Sequence, residues 1–283
     1  MLRYFYPVAL LALVAFAGLS CDPETDNPGQ IYPLAVGNTW EYTRQCSLYF
    51  YQDSTETPVY TDTSTYTSDV SVVITGKVTL REDHKAYALY SEENAGPYTH
   101  SGVDYYNNTD EGLYLYAYEP GGLLVLPKTQ TSGRILFKGR TFGSVRELSA
   151  YLQAALPLRF VMNDSIYFED PPVKVLQYPL KVGAIWTFRE AENPWRIDKQ
   201  VLAEEDFQAP AGEFSCYKIQ WLYDFDEDEQ WDEDITVFDY IAPEGLVYRE
   251  ITLTGSVWMD EYGNKMGYSD YFEEYALTEV SLE

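Results

Sequence analysis

The densest reactive run in the chain is acidic: Asp224, Asp226, Glu227, Asp228, Glu229, Asp232, Glu233 and Asp234 stand close together. Carboxylate oxygens at this density could hold a hard cation such as Ca²⁺, which wants several oxygens at once. Counted from Asp224, however, Glu229 falls where an EF-hand requires glycine and Ile235 where it requires the closing carboxylate. The run therefore reads as a solvated hairpin tip, with a weak Ca²⁺ site as the functional alternative and no other cofactor or metal expected. A glycosidase would use two carboxylates about 5 Å apart, or roughly 6.5–9.5 Å apart, and spacing along a chain does not measure that. His84 and His100 are the only histidines, too few for zinc chemistry or a Ser-His-Asp triad, and no Gly-x-Ser-x-Gly or His-Glu-x-x-His pattern occurs. No catalytic residue is assigned. Tyr105, Tyr106, Tyr114, Tyr116 and Tyr118, with Trp221 and Trp231, could stack on sugar rings, although half-exposed strands carry such aromatics for packing alone.

Three cysteines remain, and they divide by position. Arg3 and an uncharged apolar run from Val8 to Leu19 form a signal peptide over residues 1–20. The run is too short for the roughly 20 residues that cross a bilayer. Gly18-Leu19-Ser20-Cys21 resembles the lipobox of bacterial lipoproteins, which implies cleavage before Cys21 and a lipid on its thiol. Cleavage after Ser20 without lipidation is the alternative, since Gly18-x-Ser20 also fits the small-x-small rule. Two or three acyl chains, at about 0.8 kcal/mol per buried methylene, would hold the protein to a membrane durably. Residues 21–30, with Asp22, Glu24, Asp26, Pro23 and Pro28, read as a solvated acidic tether. Such acids resemble an outer-surface signal in Bacteroidota and their relatives, whereas Asp22 directly after the cysteine resembles an inner-membrane retention signal in enterobacteria. Cys46 and Cys216 lie in separate halves of an exported chain, so either a disulfide or two buried thiols is expected.

These residues need a scaffold, and the chain supplies one rich in strands. Of its 283 residues 46% are hydrophobic and 16% aromatic, including 27 tyrosines, a composition suited to pleated sheet surfaces. The net charge of −26 excludes nucleic acid and an anionic bilayer surface as favourable partners. Apolar and polar residues alternate in Val70–Leu80, 112–118, 213–221, 236–240 and 246–253, with turn residues between many of them. Short turns between sequential strands imply antiparallel pairing in a curved sheet, a half-barrel or a two-part sandwich. One helix is expected near 144–156: Ser144 and Glu147 form a capping box, Val145, Leu148, Leu152 and Ala155 share a face, and Pro157 ends it.

The segment Tyr32-Pro33-Leu34-Ala35-Val36-Gly37-Asn38-Thr39-Trp40 returns as Tyr178-Pro179-Leu180-Lys181-Val182-Gly183-Ala184-Ile185-Trp186, with six identities and no gap. Each copy is followed by Glu-Gly-Leu, at Glu111-Gly112-Leu113 and Glu244-Gly245-Leu246. Two β halves are expected, 31–170 with the helical insertion and 171–283. Together with Ala209-Pro210-Ala211-Gly212-Glu213-Phe214-Ser215-Cys216-Tyr217-Lys218-Ile219 and Tyr240-Ile241-Ala242-Pro243-Glu244-Gly245-Leu246-Val247, this pattern resembles the uncharacterised extracytoplasmic lipoproteins of Bacteroidota-like bacteria. The resemblance covers most of the mature chain and departs from it in acidic insertions such as 224–234. It implies a predominantly β protein at the cell envelope and supplies no catalytic residue.

The reading at this level is a lipid-anchored envelope protein, at the outer membrane, with a non-enzymatic binding or structural role. A surface glycan binder and an envelope hydrolase using a carboxylate pair are the alternatives. A third, carriage of hydrophobic cargo, would need a deep apolar cavity. The partners expected are the membrane, through Cys21, and a glycan or another envelope protein.

Overall fold

The computed structural model describes residues 32–52, 62–95, 98–119, 133–143, 147–148, 151, 166–190 and 195–283. Alternating chemistry makes strands of nearly all of it: β1 Thr39–Tyr51, β2 Asp62–Thr79, β3 Lys85–Ala95, β4 Tyr98–Thr109, β5 Gly112–Glu119, β6 Gly133–Phe137 and β7 Arg140–Phe142. After these come β8 Tyr167–Gln177, β9 Ile185–Arg189, β10 Arg196–Ala209, β11 Gly212–Asp224, β12 Ile235–Ala242, β13 Gly245–Asp260 and β14 Lys265–Ser281. All pair antiparallel in one sheet of order β8-β5-β4-β3-β2-β1-β14-β13-β12-β11-β10-β9, with the β6–β7 hairpin laid on β13. The sheet curls until its end strands β8 and β9 touch, giving a nearly closed barrel. Of the predicted β architectures, the curved sheet is therefore the one present, and it closes further than a half-barrel.

The order contains the internal repeat. Strands β1, β2, β3, β4, β5 and β8 form one six-stranded run, and β9 to β14 form a second in the same sense. The two Val-Gly turns make the same three bonds. Gly37 N–H donates to Ile74 O, Asn38 N–H to Ala35 O, and Ile74 N–H to Asn38 O; correspondingly Gly183 donates to Val201, Ala184 to Lys181, and Val201 to Ala184. Both glycines have positive φ, +101° and +85°, the conformation that L side chains resist. Ile74 and Val201 also both open a bulge against the next strand. The expected division at 170/171 falls within β8, and the link between the two runs is the turn from Tyr178 to Ala184.

The expected helix near 144–156 is described only at Glu147, Leu148 and Tyr151, which have helical backbone; its other residues lie outside the described ones. There Glu147 reaches back to accept the Gly143 N–H at 2.7 Å, one residue before the predicted cap. Leu148 and Tyr151 are buried in the barrel core with β6, β7, Trp195 and Phe225, so this segment and the β6–β7 hairpin fill one end of the barrel. The opposite end is filled by Tyr32, Leu34, Trp40, Tyr42 and Trp186, both tryptophans being core anchors as expected.

Candidate functional site

Between these two apolar fillings the interior carries a belt of charge. Arg44 stands between Tyr42 and Cys46 on the inward face of β1, and Glu273 between Tyr271 and Tyr275 on β14. Arg249 stands between Val247 and Ile251, Asp239 between Val237 and Ile241, and Lys199 between Ile197 and Val201. Each follows from period two: a charge on the inward parity of a strand cannot leave the core without turning its apolar neighbours outward.

Burial of charge at this depth requires partners. Arg44 donates Nη1 to Glu93 Oε1 at 2.8 Å and Nε and Nη2 to the two Glu273 oxygens at 3.1 Å each. Glu93 accepts further from Ser68 at 2.7 Å and Tyr66 at 3.1 Å, and Glu273 from Tyr271. Burial works to raise the Glu93 carboxyl, but Arg44 and these donors hold it below its ordinary range. Asp239 accepts from Arg249 Nε at 2.6 Å and Nη2 at 3.1 Å, and from Trp221 Nε1 at 2.8 Å. Its carboxyl is likewise lowered against the pull of burial. Lys199, 1% exposed, lies 3.8 Å from Asp239 and over the rings of Trp221 and Phe188. Burial lowers it to about 7, against the opposing pull of Asp239.

Asp104 occupies in the first half the place of Asp239 in the second. It pairs with Leu89 as Asp239 pairs with Ile219, one residue before a bulge against the next strand in each case. Across from Asp239 stands Arg249; across from Asp104 stands Tyr118. Asp104 is left with a 3.4 Å bond from Tyr106 Oη, and burial, with Glu169 adding to it, raises its pKa to about 6. The belt went unread in the sequence, although it had a signal: a single charge flanked at ±2 by core residues, as in Tyr42-x-Arg44-x-Cys46 and Val247-x-Arg249-x-Ile251.

The predicted aromatic cluster divides between two surfaces. Tyr118 and Trp221 are in the core and Tyr106 faces the interior, while Tyr105 packs with Ala86, Ala88 and Ala117. Trp231 lies apart, 38% exposed under Arg196. Only Tyr114 and Tyr116 share an open site, a cleft of about 500 Å³ on the barrel wall. Its other walls are the β4–β5 turn, with Asp110 and Glu111, and Pro171-Pro172 of β8. The Lys174 Nζ lies 5.6 Å from the Tyr114 ring and the His84 ring 5.1 Å from that of Tyr116.

Other candidates have structural occupations. The oxygens of Asp224, Asp226 and Asp228 come within 4.8 Å of one another, which narrows the expected cation site to three acids. Asp224, however, accepts the amides of Asp228 and Glu229, and Asp228 accepts that of Gln230, so these groups already shape the loop. Asp232 and Asp234 both meet Lys138 on the β6–β7 hairpin. His84 adjoins the 3-10 turn Arg81–Asp83, whereas His100 lies at the far end of β4. Cys46 and Cys216 are buried free thiols and do not form the disulfide that was one of the two expectations; they sit in separate core clusters on β1 and β11, four strand steps apart. Cys21 lies outside the described residues.

No family model matches the chain, and no curated protein matches it by sequence. Two solved structures are similar to it. One, named as an exported protein with a YmcC-like fold, is from Bacteroides fragilis NCTC 9343, with 12% identity over 89% of this chain and 99% of that one and a TM-score of 0.36. The other, named as a lipoprotein, is from Parabacteroides distasonis ATCC 8503, with 13% identity, 88% and 97% coverage and a TM-score of 0.32.

Proposed function

We propose that this chain is an exported protein, held to the outer membrane by lipid on Cys21, that works by binding, and that the cleft beside Tyr114 and Tyr116 takes a glycan. The cleft is the observation that carries this reading. Two half-buried tyrosine faces can pack against the C–H faces of a sugar ring, while Asp110 and Glu111 on the adjoining turn can accept its hydroxyls. Pro171 and Pro172 give the opposite wall little freedom to collapse when empty.

Two rivals fit less well. A glycosidase needs acids on both sides of the scissile bond, and Asp110 and Glu111 are neighbours on one turn. Of the inner acids, Glu93, Glu273, Asp239 and Glu169 are each ion-paired with arginine, and Asp104, raised by burial to about 6, lies in the interior and not beside the cleft. Carriage of apolar cargo needs an empty interior, whereas both barrel ends are filled by the chain's own side chains.

The test is affinity electrophoresis of the mature protein through gels containing a panel of bacterial, plant and host polysaccharides. Retardation by at least one polymer is expected. Tyr116→Ala and Tyr114→Ala should each weaken it roughly 3- to 10-fold, as expected for losing one aromatic contact. Folded protein that migrates freely past every polymer, or variants retarded as much as the parent, would sink the glycan reading.

A further inference from the structure

From this reading of an anchored chain, we infer that the barrel end bearing the two Val-Gly turns is itself a membrane-contact surface that rests on the neutral headgroup region of the bilayer. Every pairing from β1 to β9 is antiparallel and six steps separate them, so both strands start at the same end. At one side of that end Val36 is 47% exposed and Leu282 42%. Leu282 is brought there because the Glu283 N–H donates to Asn38 Oδ1 beside Gly37. At the other side Val182, Ile185 and Leu202 are 59%, 52% and 37% exposed, gathered by the bonds between the second turn and Val201. Five exposed aliphatic side chains thus stand in two groups on opposed edges of one rim, where each can enter an apolar phase that this end meets.

The occupant follows from where the tether enters. Tyr32 is fixed at this end: its N–H donates to Tyr178 Oη, and its carbonyl accepts from Asn108 Nδ2 of the β4–β5 hairpin. Tyr32 stands eleven positions after Cys21, a span of at most about 40 Å when extended and about 20 Å as a flexible coil. A lipid on Cys21 therefore keeps this end, and not the opposite one with Tyr262 and Met266, within reach of the bilayer. Tethering at this distance raises the local concentration of surface to the millimolar range, so a contact too weak to bind vesicles unaided is still made. The net charge of −26 selects among surfaces: anionic lipid repels this chain, so the contact is with zwitterionic headgroups.

The experiment must not depend on whether cells lipidate Cys21. The mature chain, with a hexahistidine segment replacing Cys21, is attached to phosphatidylcholine vesicles containing a small fraction of nickel-chelating lipid. It is labelled with a fluorophore at Val182→Cys or, as the opposite-end control, at Tyr262→Cys. Cys46 and Cys216 are buried, and burial pushes both thiols up, so labelling is confined to the new cysteine. Lipids carrying a quencher near the headgroup should reduce emission at least twofold at position 182 and leave position 262 unchanged. Adding Ile185→Asp and Leu202→Asp should restore emission at 182, and replacing a third of the lipid with phosphatidylglycerol should weaken quenching. Equal quenching at both positions, or none at 182 while attachment persists, overturns the contact. Lipidation is judged separately, by fatty-acid labelling that Cys21→Ser abolishes, so the two ideas fail independently.

Discussion

The internal repeat makes two junctions equivalent, β14 against β1 and β8 against β9, yet the chain closes them by different means. At the first, thirteen register pairs run from Thr39↔Ser281 to Tyr51↔Tyr268, and Arg44 sits behind the ladder between Glu93 and Glu273. At the second, no ladder joins the strands among the described residues. Arg189 grips Glu169 through two 2.7 Å bonds, Lys199 Nζ donates to Val175 O at 3.3 Å, and Leu176, Tyr178 and Trp186 pack together. The reason is local. β9 is five residues long against thirteen in β1, and Pro171 and Pro172 remove two donors from the middle of β8. A barrel can therefore be continuous by backbone on one side and held by side-chain charge on the other, and the second side is the one that single substitutions should open.

Arg44→Met should have the largest effect, because it leaves Glu93 and Glu273 buried and facing each other without their cation. A loss of about 3–5 kcal/mol is expected, read as a lower urea midpoint at unchanged slope. A loss below 1 kcal/mol would show that the remaining hydrogen bonds suffice. Arg189→Met should cost less, about 2 kcal/mol, since one buried carboxylate loses a bidentate partner. Its mark should be local: amide exchange should quicken in β8 and β9 and stay slow in β1 and β14. Equal acceleration at both junctions would mean that the barrel opens only as a whole.

The smallest effect contrasts Asp104 with Asp239 through pH. Asp104 is raised to about 6 in the folded protein, against roughly 3.9 unfolded, so between those values the folded state binds more protons and its stability falls as pH rises. Asp239, held below its ordinary value, contributes in the opposite sense: its stabilisation is present above about pH 4 and is lost on acidification. Asp104→Asn should therefore flatten the decline between pH 4 and pH 6 and leave the acid limb intact. Denaturant midpoints at pH 4.5, 5.5 and 7 that fall in parallel for parent and variant would contradict the assignment.

Much of the fold was legible along the chain. The alternation in 213–221 and 246–253 appears as strands β11 and β13, and the Tyr-Pro-Leu-x-Val-Gly-x-x-Trp echo appears as two turns with matching bonds. The site was less legible. Tyr105, Tyr106, Tyr114, Tyr116 and Tyr118 look uniform in sequence, but bulges at Tyr105/Tyr106 and at Leu115/Ala117 shift the inward parity, so neighbouring tyrosines part between the core and the wall. Pro171-Pro172, 55 residues beyond Tyr116, gave no sign of forming the other side of its cleft.

By itself the sequence determined what depends on neighbours in the chain: strands from period two, turns from glycine at positive φ, and a repeat of those turns. Tertiary structure alone decided which distant groups meet. Arg44 and Glu273 are 229 residues apart and become partners only when the last strand returns to the first. Cys46 and Cys216, equally free in sequence to pair, are held four strands apart. Local preference acts over a few bonds, whereas ion pairs, clefts and barrel closure depend on register between strands, which is set by the packing of the whole interior.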